Sequence, residues 1–256
     1  MQSLTSVAQF AQSRWARILP AILLICAWQV LALSLQSKTL PPPSAVLAVL
    51  WQEMHHGDLL FHLGTTMSRV AISFAAAMLI GVALGILMGG SSSWDRMLDA
   101  FLILALNIPA LVTIILCYIW FGLTETAAVI AVTVNKFPMV AISLREGARA
   151  VDKKLLQVAR VYRLSPRDTF FKVYLPQLTP YLFGSARNGL AIIWKIVLVV
   201  EMLGRSNGVG FQIGNFFHFF DITGILAYTL AFALVIFSVE ALLLRPLETH
   251  LNRWRA

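Results

Sequence analysis

Charge is what this chain has least of. Of its 256 residues only 12% are charged, whereas 59% are hydrophobic. A soluble domain carries about twice that share of charge, so too little polar surface remains to keep a globule in water. Glycine and proline are also sparse, at 15 and 10 residues, which excludes collagen-like and low-complexity chains. The two cysteines, Cys26 and Cys117, lie in apolar runs; they are too few for a disulfide framework and say nothing of a redox compartment. A phosphate loop is missing too, because Gly89-Gly90-Ser91-Ser92 lacks the lysine that reaches the phosphates. No Ser/His/Asp or Cys/His arrangement stands out, so neither a catalytic residue nor a cofactor is assigned to this chain. His55, His56 and His62 lack the i, i+4 pairing with acids of a zinc site, and no metal is expected. The net charge of +8 clusters in one loop, which argues against a nucleic-acid partner.

What is present suits a bilayer. A helix crossing roughly 30 Å of hydrocarbon needs about 20 mostly apolar residues, with every backbone polar group bonded inside the segment. Six stretches meet this: 18–35, 70–90, 100–122, 126–144, 181–203 and 222–244. The expectation is an all-α polytopic membrane protein of about six transmembrane helices, a single domain over 1–256. Basic residues accumulate on the cytoplasmic side. With the N-terminus inside, Arg14, Arg17, Arg96, the basic residues from Arg145 to Lys172, Arg245, Arg253 and Arg255 share that side, and only Lys38 and Arg205 lie opposite. Both termini are then cytoplasmic. The first apolar run is longer than the roughly 7–15 residues of a cleaved signal core, and it reads as a retained helix. Residues 36–69 form an external segment with an interfacial helix, in which Pro41-Pro42-Pro43 is a rigid stop and Ser44 an N-cap for a helix to about His56.

Gly81, Gly85 and Gly89 recur every fourth residue and form a stripe that lets another helix approach closely. Pro109 and Pro138 lie mid-span and are expected to bend their helices. Charges within spans face the bundle interior or water, and Lys136, Arg187, Lys195 and Glu201 are of this kind. Arg187 is close enough to the cytoplasmic end to snorkel. Asn107, Lys136, Lys195 and Glu201 are the candidate translocation pathway, and the excess of positive charge favours an anion. For Lys195, a structural pair with an acid elsewhere is an equal alternative. The aromatics from Phe211 to Phe220 read as an interfacial belt, ahead of a seat for an external binding protein.

Residues 145–180 form the one long cytoplasmic connection. Asp152 caps a helix from Lys153 to about Arg163, on which Leu155, Val158, Ala159 and Tyr162 share one face and Lys153, Gln157 and Arg160 the other. Ser165-Pro166-Arg167-Asp168 then supplies a hydroxyl N-cap, proline at N1 and an acid at N3, the start of a second helix. That helix is expected to stop before Pro176. A capped helix pair is more than lipid binding requires, since charge and an apolar face suffice for that, so the loop reads as a socket for a protein partner.

These residues resemble the EAA loop, the cytoplasmic signature of the membrane-spanning subunits of bacterial ATP-binding-cassette (ABC) importers. Its pattern is Glu-Ala-Ala, then Gly three residues on, then a hydrophobic residue and Leu-Pro. Here it appears as Gln157-Val158-Ala159-Arg160-Val161-Tyr162-Arg163 and Val173-Tyr174-Leu175-Pro176. The segments Glu146 to Asp152, Glu201-Met202-Leu203-Gly204 and Gly208-Val209-Gly210 resemble the nitrate, sulfonate, taurine and bicarbonate branch, as do Asn107-Ile108-Pro109 and Trp120-Phe121-Gly122. Two positions depart: Gln157 replaces Glu, and Arg163 replaces the Gly that turns with positive φ.

The resemblance implies a type I ABC importer-like permease in the bacterial inner membrane, paired with a second permease copy as a homodimer. It also implies two ATP-binding subunits that carry ATP and Mg and perform the hydrolysis, and a periplasmic or lipid-anchored solute-binding protein. The coupling residues are then Gln157, Val158, Ala159, Arg160, Tyr162, Arg163, Leu164, Ser165 and Pro166. The cargo is a small solute, an anion such as a sulfonate or nitrate. The alternative is a stand-alone ion-coupled carrier that relays protons through Lys195, Glu201 and Glu240. An intramembrane enzyme would need a catalytic constellation that this sequence lacks.

Overall fold

The computed structural model describes residues 14–37, 39–244 and 246. Of the charges used for orientation, Lys38, Arg245, Arg253 and Arg255 lie outside the described residues, as do the side chains of Arg14 and Arg17. Among the described residues the regular structure is entirely helical. In chain order the helices are α1 (Arg14–Leu35), α2 (Pro43–His56), α3 (Leu59–Gly90), α4 (Ser92–Asn107), α5 (Ala110–Phe121), α6 (Glu125–Arg149), α7 (Lys153–Val161), α8 (Pro166–Thr169), α9 (Leu175–Gly204), α10 (Val209–His218) and α11 (Ile222–Val239). Single π-turns, Phe170–Tyr174 and Glu240–Leu244, join α8 to α9 and extend α11.

Among the described residues three stretches are long and apolar enough to cross a bilayer unaided, Leu59–Gly90, Glu125–Arg149 and Ile222–Leu244, and α4 with α5 qualifies as a bent pair. The other two of the six expected spans are weaker. The apolar part of α1 is the shorter Leu19–Leu35, and α9 carries Arg187, Lys195 and Glu201. The chain groups into two compact units. One joins Met1–Leu59 to Ile213–Phe232, the other Leu60–Gln212 to Ala233–Ala256.

In the first unit, α2 starts on proline. Pro42 is the N-cap and Pro43, its φ already helical, is the first residue. Ser44 is therefore not the cap that was expected. Its N–H donates to Gln29 Oε1 (3.1 Å) and its hydroxyl accepts from Gln29 Nε2 (3.0 Å), tying α2 to α1. Tyr228 is buried against Phe216 and donates to Glu53 Oε2 at 2.9 Å. Phe217, Phe219 and Phe220 are exposed, the placement an interfacial belt requires.

The second unit is built on α3, α6 and α9. The glycine stripe of α3 meets α6: a Cβ on Gly85 would stand 2.6 Å from the Ala141 carbonyl oxygen, so only glycine permits this approach. Gly81 faces Val140 and Gly89 faces Ala148, so α3 and α6 run parallel. Helix α9 runs against them, with Tyr181 beside Gly147 at one end and Arg205 paired with Glu125 at the other. Met88, Leu102 and Ala141 form a buried cluster between α3, α4 and α6.

The crossing expected over 100–122 is two helices meeting at 99°. Ile108 precedes a proline and is driven to extended backbone (φ −73°, ψ 124°), which ends α4. The Asn107 amide then donates to the Ile103 carbonyl at 2.7 Å. α4 begins where Arg149 pairs with Asp95 (2.5 Å), and α5 ends where Tyr118 donates to the Val200 carbonyl (2.9 Å), so the pair spans the unit as one broken crossing. Pro138, by contrast, lies within α6, which continues through it as one helix.

Candidate functional site

The segment from Asp152 to Thr169 is shaped by its caps. Asp152 accepts from the Lys154 N–H at 2.7 Å and starts α7, as its position in sequence required. Ser165 accepts from the Asp168 N–H at 3.1 Å and donates to Asp168 Oδ2 at 2.7 Å, closing the turn that opens α8. Lys172 pairs with Asp168 at 2.7 Å. Together with the Ser165 hydroxyl it holds that carboxyl below the ordinary carboxylate range, so the cap stays charged at neutral pH.

The left-handed residue that ends α7 is Arg163, at φ +50°. Its N–H donates to the Arg160 carbonyl (2.9 Å) and the Leu164 N–H to the Ala159 carbonyl (3.0 Å). Those two bonds make a Schellman turn. The turn survives the loss of glycine, at a cost of about 1–2 kcal/mol for a side chain in this conformation. Arg163→Gly is accordingly expected to raise the free energy of opening at the Leu164 amide by about 0.5–1 kcal/mol, after allowing for the entropy of glycine in the open chain. Hydrogen exchange on the purified protein checks this, and lower protection would contradict it.

One expectation for this segment needs correction. Pro176 does not stop the second helix. The Leu175 N–H reaches back to the Phe170 carbonyl across the π-turn, and the helix runs on through Pro176 into α9. The apolar face of α7 is left mostly uncovered by its own chain. Ala159 is buried and Leu156 joins Tyr174 against Ala148, Val151 and Leu178, but Leu155, Val158, Val161 and Tyr162 are exposed, the last two by 80% and 77%. Lys153, Gln157, Arg160 and Arg163 are exposed beside them. Beneath α7 a groove of about 470 Å³ is lined by Leu156, Arg160, Leu164, Phe170 and Tyr174. The segment is fastened to the bundle at its base, where Gln177 Oε1 accepts from the Asp152 N–H (2.8 Å). Any force on α7 therefore reaches α6 and α9.

At the opposite end of the second unit lies a polar clamp that hydropathy did not reveal. α3 starts at Leu59, not at Val70, and the added turns carry His62, Thr66 and Arg69. Glu201 is fully buried, where a pathway residue would be exposed. Its Oε1 accepts from Arg69 (2.6 Å), and its Oε2 from the Thr66 hydroxyl (2.9 Å) and the Gly210 N–H (2.8 Å). Arg69 also pairs with Glu125 at 2.6 Å and bonds the carbonyl and side-chain oxygens of Asn207. The Gly208 N–H donates to His62 Nδ1 at 2.9 Å, and the Gln212 side-chain amide lies 2.8 Å from His62 Nε2, so both ring nitrogens are engaged. Gly208 has φ +109°, and a Cβ there would collide with the Glu201 carboxyl. The Glu201 to Gly210 motif is thus a carboxylate folded under a glycine turn.

The other pathway candidates separate. Lys136 is buried (2% exposed) between α6 and α9, its ammonium donating to Met139 Sδ at 2.9 Å, so it packs inside the bundle rather than lining an opening. Asn107 closes α4 and is exposed at the break. Arg187, expected to snorkel, pairs with Glu240 at 2.8 Å. Lys195 is exposed and, among the described residues, makes no ion pair with an acid.

Residues 81–245 match the family described as binding-protein-dependent transport system inner membrane component. A protein of Bacillus subtilis (strain 168), provisionally named an aliphatic sulfonates transport permease protein, is 32% identical over 93% of this chain and 86% of its own length. The taurine transport system permease protein TauC of Escherichia coli (strain K12) is 30% identical over 91% of this chain and 87% of its own. The nitrate import permease protein NrtB of Synechocystis is 30% identical over 77% and 75%. In three dimensions the chain resembles a subunit of the inward-facing MetNI methionine ABC transporter, with TM-score 0.62 and 18% identity over 73% of this chain and 94% of that one.

Proposed function

The chain belongs to the family of binding-protein-dependent transport inner-membrane components, and from that premise we propose how its residues serve an ATP-driven importer. It is a multi-pass permease subunit of an ABC importer. In our reading α7 seats in a cleft of an ATP-binding subunit, which holds ATP and Mg and performs the hydrolysis. Two such subunits and a second permease copy complete the complex in a bacterial inner membrane, with both termini cytoplasmic and a solute-binding protein outside. The contacts to the ATP-binding subunit are made by Gln157, Val158, Arg160, Tyr162 and Arg163, while Ala159, Leu164, Ser165 and Pro166 keep α7 in shape.

The exposed apolar and basic surface of α7 carries this reading. Four large or branched apolar side chains held out by a capped, rigidly based helix call for a partner of matching shape. Drawing two such helices together would swing α6 and α9, because Gln177, Leu156 and Tyr174 bind α7 to both. The cargo we assign is a small anion of the sulfonate or nitrate kind, in line with the names of the relatives.

The carrier alternative is weakened by the geometry, since Glu201 is committed to Arg69 and Glu240 to Arg187, leaving neither as a ready proton relay. Vesicles holding the permease, its ATP-binding subunit and binding protein are expected to accumulate taurine or nitrate only with ATP inside the compartment that contacts α7. Uptake by the permease alone, driven by an ion gradient without ATP, would establish the carrier instead.

A further inference from the structure

Gly184, Asn188, Ala191 and Lys195 follow i, i+4, i+7, i+11 spacing and so lie on one face of α9. All four are exposed, whereas Ser185, Gly189, Ile193 and Val197 turn inward. This face is unlike one that meets lipid. On α3 the exposed mid-helix positions are all apolar, Ala71, Ile72, Ala75, Leu79, Ile80 and Ala83; here, with Ile192 at the edge, an amide and an ammonium stand among two small residues. Lys195 lies nine residues before the end of α9 at Gly204, about 14 Å along the axis. That is too deep for easy snorkelling, and a bare ammonium there is costly in hydrocarbon. Among the described residues neither Lys195 nor Asn188 has a side-chain partner, whereas the other exposed cation of this helix, Arg187, is paired with Glu240.

We infer that the Gly184, Asn188, Ala191 and Lys195 face of α9 is the anion-contacting wall of the translocation path, covered by the same face of a second copy. The inference rests on the transport reading above. Glycine and alanine let the two copies come close, and an isologous contact brings each Lys195 to the level of its twin. Two ammoniums facing each other repel, and a small anion between them relieves the repulsion. The Asn188 amides, about two turns toward the coupling segment, offer the next donors along the path. Selectivity for a negative solute is then a property of this face as well as of the binding protein.

The test uses the complex with its ATP-binding subunit in membrane vesicles, carrying Cys26→Ala and Cys117→Ala. Single cysteines are placed by Asn188→Cys, Ala191→Cys and, as a lipid-facing control, Leu79→Cys. Each is treated with a methanethiosulfonate bearing a sulfonate and with one bearing a quaternary ammonium. The stripe positions are expected to react at least roughly tenfold faster than Leu79→Cys and to favour the anionic reagent. Adding Lys195→Met lowers the anionic-to-cationic rate ratio by roughly tenfold, while Lys195→Arg preserves it. Co-purification of the ATP-binding subunit reports that each variant is folded. Stripe cysteines as unreactive as the control, or a ratio indifferent to Lys195→Met, would overturn the inference while leaving the ATP-driven permease in place. Failure of the cysteine-free parent to hold its ATP-binding subunit would overturn both.

Discussion

Replacing Glu201 with alanine is expected to destabilise the purified protein by about 3–5 kcal/mol, the usual cost of removing one partner from a buried ion pair. Arg69 is only 3% exposed and would lose one of its two counter-charges, the fully buried one. Glu125 remains beside it but is half-exposed and offsets part of the loss. The Thr66 hydroxyl and the Gly210 N–H would each lose an acceptor, at about 1–3 kcal/mol for a buried donor left unmade. Because these donors hold the turn from Arg205 to Gln212, the variant should also become sensitive to proteases there. Glu240→Gln is the contrast: its pair with the half-exposed Arg187 is worth at most about 1 kcal/mol. Equal melting temperatures for Glu201→Ala and the parent would show that the clamp is not a structural anchor.

Ala159→Pro should abolish ATP-coupled uptake while leaving membrane insertion intact. Proline removes the N–H that closes the middle of α7 and clashes with the preceding turn, a penalty of about 3 kcal/mol or more. α7 has nine residues, too few to retain helix on both sides of the break. Only Leu156 and Ala159 of that helix pack into the second unit, so the bundle itself loses little. Co-purification of the ATP-binding subunit is therefore expected to fall to background with the permease still extractable and folded. Normal assembly and uptake in Ala159→Pro would refute α7 as the element through which ATP acts.

How much of this was legible beforehand depended on range. The caps of α7 and α8 were readable from Asp152 and Ser165-Pro166 because each bonds a neighbour two or three residues away. The glycine stripe of α3 was readable because its spacing matches the helix period. The clamp was hidden. Arg69 lies one residue before the expected start of its span and 132 positions from Glu201, so a hydropathy window stops at the charge that the fold buries. Periodicity found an apolar face on α7 but could not say what covers it, and its own chain covers little beyond Ala159. Pro176 misled because a proline near a helix start and one near a helix end look alike until the π-turn shows which side the helix lies on. Ser44 misled in the same way, since Pro42 and Pro43 already set the first turn of α2.

The most direct measurement is aqueous thiol labelling of Val158→Cys and Tyr162→Cys, in membranes, with and without the ATP-binding subunit, in the background lacking Cys26 and Cys117. Rapid labelling of the permease alone and strong protection on adding the subunit is the result predicted for a coupling helix. Protection by the bilayer alone, unchanged by the subunit, would mean that α7 lies on lipid and that the coupling account is wrong.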